Sequence, residues 1–247
     1  MSGNNELYSL TWLHPGQTNE PFPPVASALR EPNGLLAAGG DLSLPRLLNA
    51  YRHGIFPWYE AGQPILWWSP DPRTILYPSK VKISRSLGKI LRQQQFQVTF
   101  DHAFTDVIKG CAGPRRGVHG TWITFGMQQA FIQMHHTGHA HSVEVWKHGT
   151  LVGGLYGVSM GRVFFGESMF SRVPDASKVA LVALCRHLDF WGYPLLDCQT
   201  PSDHLTRMGA EPMSRQRFAT RLEQLCSVPS RPGPWEVEPS LGFRDPP

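Results

Sequence analysis

Cysteine is scarce in this sequence, and its four copies lie far apart. They are Cys111, Cys185, Cys198 and Cys226, and no two of them form a C-x-x-C pair. Disulfide frameworks and structural zinc sites use denser or more closely spaced thiols. We therefore expect reduced, mostly buried thiols, with neither a disulfide nor a bound metal.

Long apolar runs are also missing. No stretch approaches the ~18 consecutive apolar residues that a membrane-spanning helix requires. Residues 1–6 are polar, unlike the basic and then apolar start of a secretory signal. Because 41% of the residues are hydrophobic, the chain can still bury the core of one or two domains. These features favour a cytoplasmic, globular protein that makes no membrane contact.

Acidic residues are absent between Asp71 and Asp101, although the net charge of the whole chain is only +4. The basic residues of this interval are Arg73, Lys80, Lys82, Arg85, Lys89 and Arg92. A stretch whose charged residues are all positive attracts polyanions such as nucleic acids. A solvated helix face would give the same pattern, and the local sequence leaves both interpretations open.

Residues 1–71 are rich in Pro, Gly and Trp, which predicts a small, irregular N-terminal domain. One helix is expected in it, at 44–53, where apolar residues that include Tyr51 recur at helical spacing. Asp41 or Ser43 can cap this helix.

From residue 72 to residue 226 the pattern becomes regular and predicts an α+β domain. Helices are expected at 84–94, 104–111, 124–138, 176–191, 202–208 and 214–225, and strands at 97–100, 142–147, 151–158, 163–168 and 195–199. Three consecutive strands, a long helix and a buried strand fit a mainly antiparallel sheet flanked by helices, as in the acetyltransferase fold. The Pro-rich segment 227–247 is expected to form a loose tail.

Two predicted strand ends carry polar side chains that could serve a site. Asp197 and Gln199 are two residues apart, so a regular strand would project both to one face and Cys198 to the other. Glu167 stands beside Gly166 at the end of the third strand, before a flexible loop. The plainer alternatives are a helix cap for the first pair and an exposed strand end for Glu167.

Loop tryptophans and the segment before the long helix bear on possible ligands. Trp58 and Trp122 could stack on unpaired bases, at ~1–3 kcal/mol per base, or could fill the join between two domains. Residues 171–177 contain no glycine, and Asp175 adds negative charge where a pyrophosphate would bind at a helix start. Coenzyme A is therefore a poor candidate for the acyl donor.

Nine segments of the sequence recur, in the same order, in a known family. They are FPP at 22–24, PNGLLA at 32–37, GGDL at 39–42, AYRHGIFPW at 50–58, WWSP at 67–70, HGTWI at 119–123, GGLYG at 153–157, FGESMFS at 165–171 and LDCQ at 196–199. In these segments the chain resembles the leucyl/phenylalanyl-tRNA–protein transferases of the bacterial N-end rule. The match extends from about Trp12 to Leu225.

The resemblance implies a small N-terminal domain followed by an acetyltransferase-like domain. It also implies an activity: Leu or Phe, and less well Met, is transferred from aminoacyl-tRNA to proteins that begin with Arg or Lys. The product is a degradation signal. No metal or organic cofactor is implied, and a monomer fits the family.

The resemblance also assigns site residues. Asp197 and Gln199 would hold the attacking amine, and Asp197 would take its proton directly or through Gln199. Glu167 would be a second carboxylate of the acceptor site, and the sequence leaves open which carboxylate meets the α-amine and which meets the cationic side chain. The apolar donor pocket would be formed by Leu155, Phe164, Leu181, Leu184 and Leu196.

The donor tRNA gives the basic stretch a role. Its phosphates would contact Lys80, Lys82, Arg85, Lys89 and Arg92, and Trp58 and Trp122 would hold the 3′-terminal adenosine. Two rival functions stay open: an acyl-CoA N-acetyltransferase and a tRNA-binding module without catalysis.

Overall fold

The computed structural model of the protein describes residues 10–113 and 121–242. Within these residues the helices are α1 (Leu44–Arg52), α2 (Arg85–Gln93), α3 (Phe104–Ala112), α4 (Phe125–His136), α5 (Ala176–Phe190), α6 (Asp203–Arg207) and α7 (Arg215–Leu225). The strands are β1 (Thr11–Leu13), β2 (Leu35–Gly39), β3 (Phe56–Pro57), β4 (Leu66–Trp68), β5 (Arg73–Leu76), β6 (Gln97–Phe100), β7 (Ala140–Lys147), β8 (Thr150–Met160), β9 (Val163–Ser171), β10 (Leu195–Gln199) and β11 (Glu211–Met213).

The predicted α+β class is confirmed, and the predicted elements are present with ends that differ by up to three residues. At α1 the expected cap Ser43 occupies the N-cap position without a side-chain hydrogen bond to the helix, whereas hydroxyl groups cap α2 and α4. The Ser84 hydroxyl accepts the backbone N–H of Leu87, and the Thr124 hydroxyl accepts that of Met127. Each cap satisfies an N–H group that has no partner within its own helix.

The strands form two sheets. The first has the order β1-β2-β4-β3, and the second has the order β11-β5-β10-β9-β8-β7-β6. Neighbours in the second sheet are antiparallel except for β9 and β10, which are parallel and are joined through α5. The two strands pair as far as Phe165 and Asp197, so β10 ends at Gln199 beside the middle of β9, which continues to Ser171.

The core lies on both faces of the second sheet. On one face α5 packs through Leu181 and Leu184 against Leu155 of β8 and Leu196 of β10. On the other face α3 and α4 pack together with residues of the N-terminal domain, among them Tyr51 of α1. The N-terminal domain therefore packs on the face of the sheet opposite α5 and reaches the middle of β9 through Tyr51.

The sequence pattern did not predict β1 to β5 or β11. These strands are two to five residues long and alternate with Pro and Gly. So short a stretch shows no period that could separate a strand from a loop. Pairing with neighbouring strands, rather than local propensity, makes them extended.

The expectation of a loose C-terminal tail was wrong for the described part of that segment. Trp235 is fully buried, its ring stacks on His141 with 3.9 Å between centroids, and its backbone N–H donates to Oδ2 of Asp101. The Glu238 carboxylate accepts the indole N–H of Trp191 at 2.7 Å. Burying one large aromatic residue outweighs the Pro-rich composition, because Trp removes roughly 150–250 Å² from water.

Removing this ring should destabilise the whole protein. We predict that Trp235→Ala lowers the free energy of unfolding by about 3–5 kcal/mol, because it leaves a cavity among aromatic side chains. Val228→Ala is the control within the same segment, because Val228 is 40% exposed; its effect should stay within about 0.5 kcal/mol. Urea denaturation measures the free energy of unfolding of both variants. If Trp235→Ala has as small an effect as Val228→Ala, the segment contributes nothing to the core.

Candidate active site

A mainly apolar cavity of about 220 Å³ opens where β10 ends beside the middle of β9. Four of the five residues predicted for the donor pocket line it, together with Trp122; they are Leu155, Leu181, Leu184 and Leu196. Met169 and Leu205 extend the apolar wall, and Glu167, Gln199, Thr200 and Ser202 form a polar edge. The arrangement suits an apolar side chain attached to a polar, reacting group.

Phe164 does not line this cavity. It is fully buried and packs against Trp235, with 5.6 Å between the ring centroids. Phe164 is the register partner of Leu196 in the neighbouring strand, so its side chain lies beside that of Leu196 on the same face of the sheet, outside the cavity lining. The expectation that it touches the donor side chain is therefore not met.

A second cavity, of about 260 Å³, adjoins the first. Its walls are Phe56, Pro57, Trp58, Trp122 and Thr200, and both cavities share Glu167 and Gln199. Trp58 is 47% exposed and forms the outer side, with Trp68 packed behind it at 5.6 Å. The two cavities thus meet at one carboxyl group and one amide.

Two β-bulges aim these groups at the cavities. In the β8–β9 pair, Tyr156 opposes Ser168 and Gly157 opposes Gly166, so Glu167 is an extra residue without a partner. In the β5–β10 pair, Ile75 opposes Asp197 and Thr74 opposes Gln199, so Cys198 is extra. A bulge changes the direction of the side chains that follow it, and bulges are frequent beside active sites.

The second bulge overturns the predicted orientation of Asp197 and Gln199. Their partners Ile75 and Thr74 are consecutive, so Asp197 and Gln199 face opposite sides of the sheet. Gln199 has a positive φ of 60° and lines both cavities, whereas Asp197 is fully buried and lines neither. Asp197 is consequently out of reach as the direct proton acceptor for an amine in either cavity.

Asp197 instead forms a buried ion pair with Arg73. The Arg73 Nε and Nη2 donate to the two oxygens of Asp197 at 2.8 and 2.7 Å. Oδ1 of Asp197 also accepts the backbone N–H of Gln199 at 3.0 Å. The sequence pattern had grouped Arg73 with exposed basic residues, but it is only 1% exposed.

Glu167 receives two hydrogen bonds, both on Oε1. One comes from the hydroxyl of Tyr51 at 2.8 Å and the other from the side-chain amide of Gln199 at 2.9 Å. Burial raises the pKa of Glu167 to about 8, and the nearby Asp197 charge adds to this, while the hydrogen bonds and Arg73 act in the opposite direction. The carboxyl group is therefore poised to gain or lose a proton near neutral pH.

Tyr51 is a site residue that the sequence did not indicate. It belongs to the apolar stripe of α1, where it reads as a core residue. Its pKa is raised well above the ordinary value by burial and by Glu167, so it acts as a hydrogen-bond donor. Only the packing of α1 on the second sheet brings its hydroxyl to the carboxyl group.

The five basic residues predicted to contact tRNA are all exposed: Lys80, Lys82, Arg85, Lys89 and Arg92. Among the described residues, no carboxylate forms an ion pair with them. The backbone N–H of Lys82 donates to the carbonyl of Met208, just after α6. Because Ser202 and Leu205 of that region line the first cavity, the basic surface lies next to its opening.

Residues 10–113 and 121–242 hold neither a candidate membrane span nor a candidate metal site. No helix there combines the length and the apolar character that crossing a bilayer demands. Nor do three or more His, Cys, Asp or Glu side chains converge in that part of the chain in a way that could hold a metal ion.

The raised pKa of Glu167 predicts a pH-dependent stability. Between its ordinary value of 4.5 and about 8, the folded protein keeps a proton that the unfolded chain releases. Glu167 therefore lowers the free energy of unfolding as pH rises through this window. Glu167→Gln cannot ionise, so its stability relative to the native protein should increase with pH, by at most about 1.4 kcal/mol per pH unit.

Urea unfolding at several pH values between about pH 5 and about pH 8 measures this difference. Glu60→Gln is the control, because the Glu60 side chain is exposed. If the difference in free energy of unfolding between Glu167→Gln and the native protein stays constant over this pH range, the raised pKa of Glu167 is contradicted.

Comparison with solved structures gives only distant similarity. A GCN5-related N-acetyltransferase from Kribbella flavida is 10% identical, with a TM-score of 0.37 over 66% of this chain and 58% of that one. L-PGS from Bacillus licheniformis is 11% identical, with a TM-score of 0.40 over 76% and 58%. Similarity at this level carries no conclusion about this chain.

Comparison with characterised sequences gives close relatives. A leucyl/phenylalanyl-tRNA–protein transferase of Pseudomonas fluorescens strain SBW25 is 58% identical over 226 residues, which are 92% of this chain and 99% of that relative. A protein of the same name from Pseudomonas paraeruginosa strain PA7 is 60% identical over 215 residues, 87% of this chain and 94% of that relative.

Two family models match the chain. The model of the leucyl/phenylalanyl-tRNA protein transferase N-terminal domain covers residues 40–71, and the model of the transferase itself covers residues 75–223. The relatives, the two models and the paired cavities agree, and the chain belongs to the leucyl/phenylalanyl-tRNA–protein transferase family of aminoacyltransferases.

Proposed function

We propose that this protein transfers Leu or Phe, and less well Met, from aminoacyl-tRNA to the N-terminal Arg or Lys of proteins. The new peptide bond would mark those proteins for degradation by the N-end rule. The observation that carries the proposal is the meeting of an apolar cavity and an aromatic cavity at Glu167 and Gln199. Two substrates placed in these cavities would have their reacting ends together.

The first cavity fits the donor side chain. Its wall of leucines and Met169 favours an apolar side chain over a polar one. Pockets of this kind separate side chains that differ by a methylene by only about 1–3 kcal/mol. Acceptance of Leu, Phe and, less well, Met by one pocket is consistent with that limit.

The second cavity fits the acceptor. The exposed face of Trp58, on the outer side of this cavity, can attract the cationic side chain of an N-terminal Arg or Lys. Glu167, at the junction, would then meet the α-amine. Both hydrogen bonds that Glu167 receives end on Oε1, so Oε2 is left to exchange a proton with that amine.

The pKa values make this exchange easy. An α-amino group has a pKa of about 7.7–8.0, close to the value of about 8 for Glu167. A proton can therefore pass from the ammonium group to the carboxylate at little cost, which leaves a neutral amine beside the ester. Matching of this kind is what general acid–base catalysis requires.

The bond changes then follow. The amine nitrogen attacks the ester carbon, and the bond from that carbon to the ribose oxygen breaks. Of the three ammonium protons, one stays on the amide nitrogen, one passes through Glu167 to the leaving ribose oxygen, and one is released to solvent. Since the ester is already activated, alignment of the two substrates supplies most of the catalysis, up to about 7–11 kcal/mol.

The basic surface fits the tRNA. Lys80, Lys82, Arg85, Lys89 and Arg92 would contact backbone phosphates, as point charges and bidentate donors. Trp122 lines both cavities and is placed to stack on the 3′-terminal adenosine, with Trp58 beside it. A reaction of charged tRNA also fits a monomer in the cytoplasm.

The two rival functions are less well supported. An acyl-CoA enzyme would need backbone donors for a pyrophosphate at the start of α5, but β9 continues to Ser171 and Asp175 occupies the helix cap. A tRNA-binding module without catalysis would not need two cavities that meet at a carboxyl group.

The deciding experiment supplies both substrates. Purified protein, tRNA charged with labelled Leu, and a peptide that begins with Arg should give a peptide lengthened by one labelled residue. The matched control is the same peptide with an acetylated amino terminus, which should stay unlabelled because it has no free amine. Labelled peptide from acetyl-CoA, or tRNA binding without any transfer, would contradict the proposal.

A narrower donor pocket should change the choice of amino acid. We predict that Leu155→Phe lowers kcat/KM for Phe-tRNA about 10-fold more than for Leu-tRNA, because the added ring occupies space that the larger substrate needs. Phe164→Leu is the control, since Phe164 does not line the cavity, and it should keep the Phe-to-Leu ratio within about twofold. Equal losses for both donors in Leu155→Phe would mean that this cavity does not bind the donor side chain.

A further inference from the structure

Arg73 is a fully buried cation that touches neither cavity. It lies at the start of β5, between residues 40–71 and 75–223, which the two family models cover. We infer that Arg73 is a positioning residue for aminoacyl transfer, which acts through Asp197 to hold the Gln199 amide against Glu167. The inference rests on the proposed function of the same site.

The guanidinium group is held on every side. Besides its two bonds to Asp197, Nη1 donates to the carbonyl of Gly54 at 2.9 Å. The rings of Phe56 and Phe218 lie on it at 4.8 and 4.7 Å from Cζ. Gly54 and Phe56 belong to the N-terminal domain and Phe218 belongs to α7, so three parts of the chain fix the orientation of one side chain.

Arg73 fixes the position of Gln199 through the carboxylate of Asp197, which binds both residues. Oδ1 of Asp197 accepts both the Nε–H of Arg73 and the backbone N–H of Gln199. The second bond holds Gln199 at a φ of 60°, a left-handed conformation that a residue with a side chain seldom adopts. That conformation turns the Gln199 amide towards Oε1 of Glu167.

Stability alone does not account for this arrangement. A buried ion pair contributes little net stability, because desolvation of two charges offsets most of their attraction. What a bidentate pair supplies is a fixed geometry for the carboxylate oxygens, which a single point charge does not. Here that geometry determines where the amide next to the reacting groups is placed.

The test separates the shape of Arg73 from its charge. Arg73→Lys keeps the positive charge and loses the planar fork, so Asp197 is no longer fixed. We expect kcat for transfer from Leu-tRNA to an Arg peptide to fall about 10- to 100-fold, since displacements of about 1 Å near the reacting groups have such effects. KM for Leu-tRNA should change less than about twofold, because the donor cavity and the basic surface are untouched.

Arg46→Lys is the matched control. Arg46 is also fully buried, donates to three backbone carbonyls, and lies on the ring of Phe22, but it is in the N-terminal domain and lines neither cavity. The Arg46→Lys variant should lose about as much stability as Arg73→Lys and keep kcat within about twofold of the native value. An equal loss of kcat in Arg46→Lys would overturn the inference, because the effect would then reflect general destabilisation.

A double substitution distinguishes positioning from charge compensation. Arg73→Met with Asp197→Asn removes both charges, so the melting temperature should return towards that of the native protein. We expect kcat to stay low, because nothing then fixes the side chain of residue 197. Recovery of kcat together with stability would overturn the inference, and this variant also decides the matter if Arg73→Lys does not fold.

Assaying the native protein in parallel distinguishes a failure of the inference about Arg73 from a failure of the proposed function. If it transfers Leu and Arg73→Lys has full kcat, the inference about Arg73 is wrong while the proposed function stands. If the native protein transfers nothing under conditions in which it binds Leu-tRNA, the proposed function and the inference both fall.

Discussion

The buried contact between Arg73 and Asp197 is the interaction on which the rest of the site depends. It joins β5 to β10 next to a bulge in β10. Because of this bulge, the Gln199 side chain lies on the side of the sheet that faces the cavities. The same guanidinium group binds the carbonyl of Gly54, which follows α1. The cavity that includes Phe56 and Trp58 is therefore held in register with the strand that carries Gln199.

Two carboxyl groups thus occupy neighbouring positions with different environments. Asp197 has its charge compensated by Arg73, whereas Glu167 is buried beside a hydroxyl and an amide, which raises its pKa to about 8. Such pairs often divide acid–base work, with one group fixed in charge and the other free to exchange a proton. In this protein the group that can exchange its proton is the one that lines both cavities.

The sequence predicted the regular parts of the fold and most of the cavity wall. Helix caps at Ser84 and Thr124 and the apolar spacing of α5 are local signals, so they could be read from neighbouring residues. Leu181 and Leu184 of α5 could be placed in the donor pocket only through the family resemblance. The contribution of Tyr51 could not be predicted, because it depends on the packing of one domain against another.

The errors at the site have two physical causes, and both are non-local. Simple alternation along β10 placed Asp197 and Gln199 on the same face, but one extra residue in the strand reverses the alternation. Phe164 was assigned to the pocket through the family resemblance, yet it packs against Trp235 from the C-terminal segment and does not line the cavity. Neither a bulge nor a contact between residues 71 positions apart can be recognised from the alternation of polar and apolar residues along one strand.

Difference infrared spectroscopy of the carboxyl groups measures the protonation of Glu167 directly. The spectrum of the native protein should contain the band of a protonated carboxylic acid that disappears with a midpoint near the pKa of about 8, and Glu167→Gln should lack that band. If the native protein shows carboxyl titration only in the ordinary range of about pH 3–5, Glu167 is already ionised at neutral pH. The proton exchange proposed between the acceptor amine and this residue would then be contradicted.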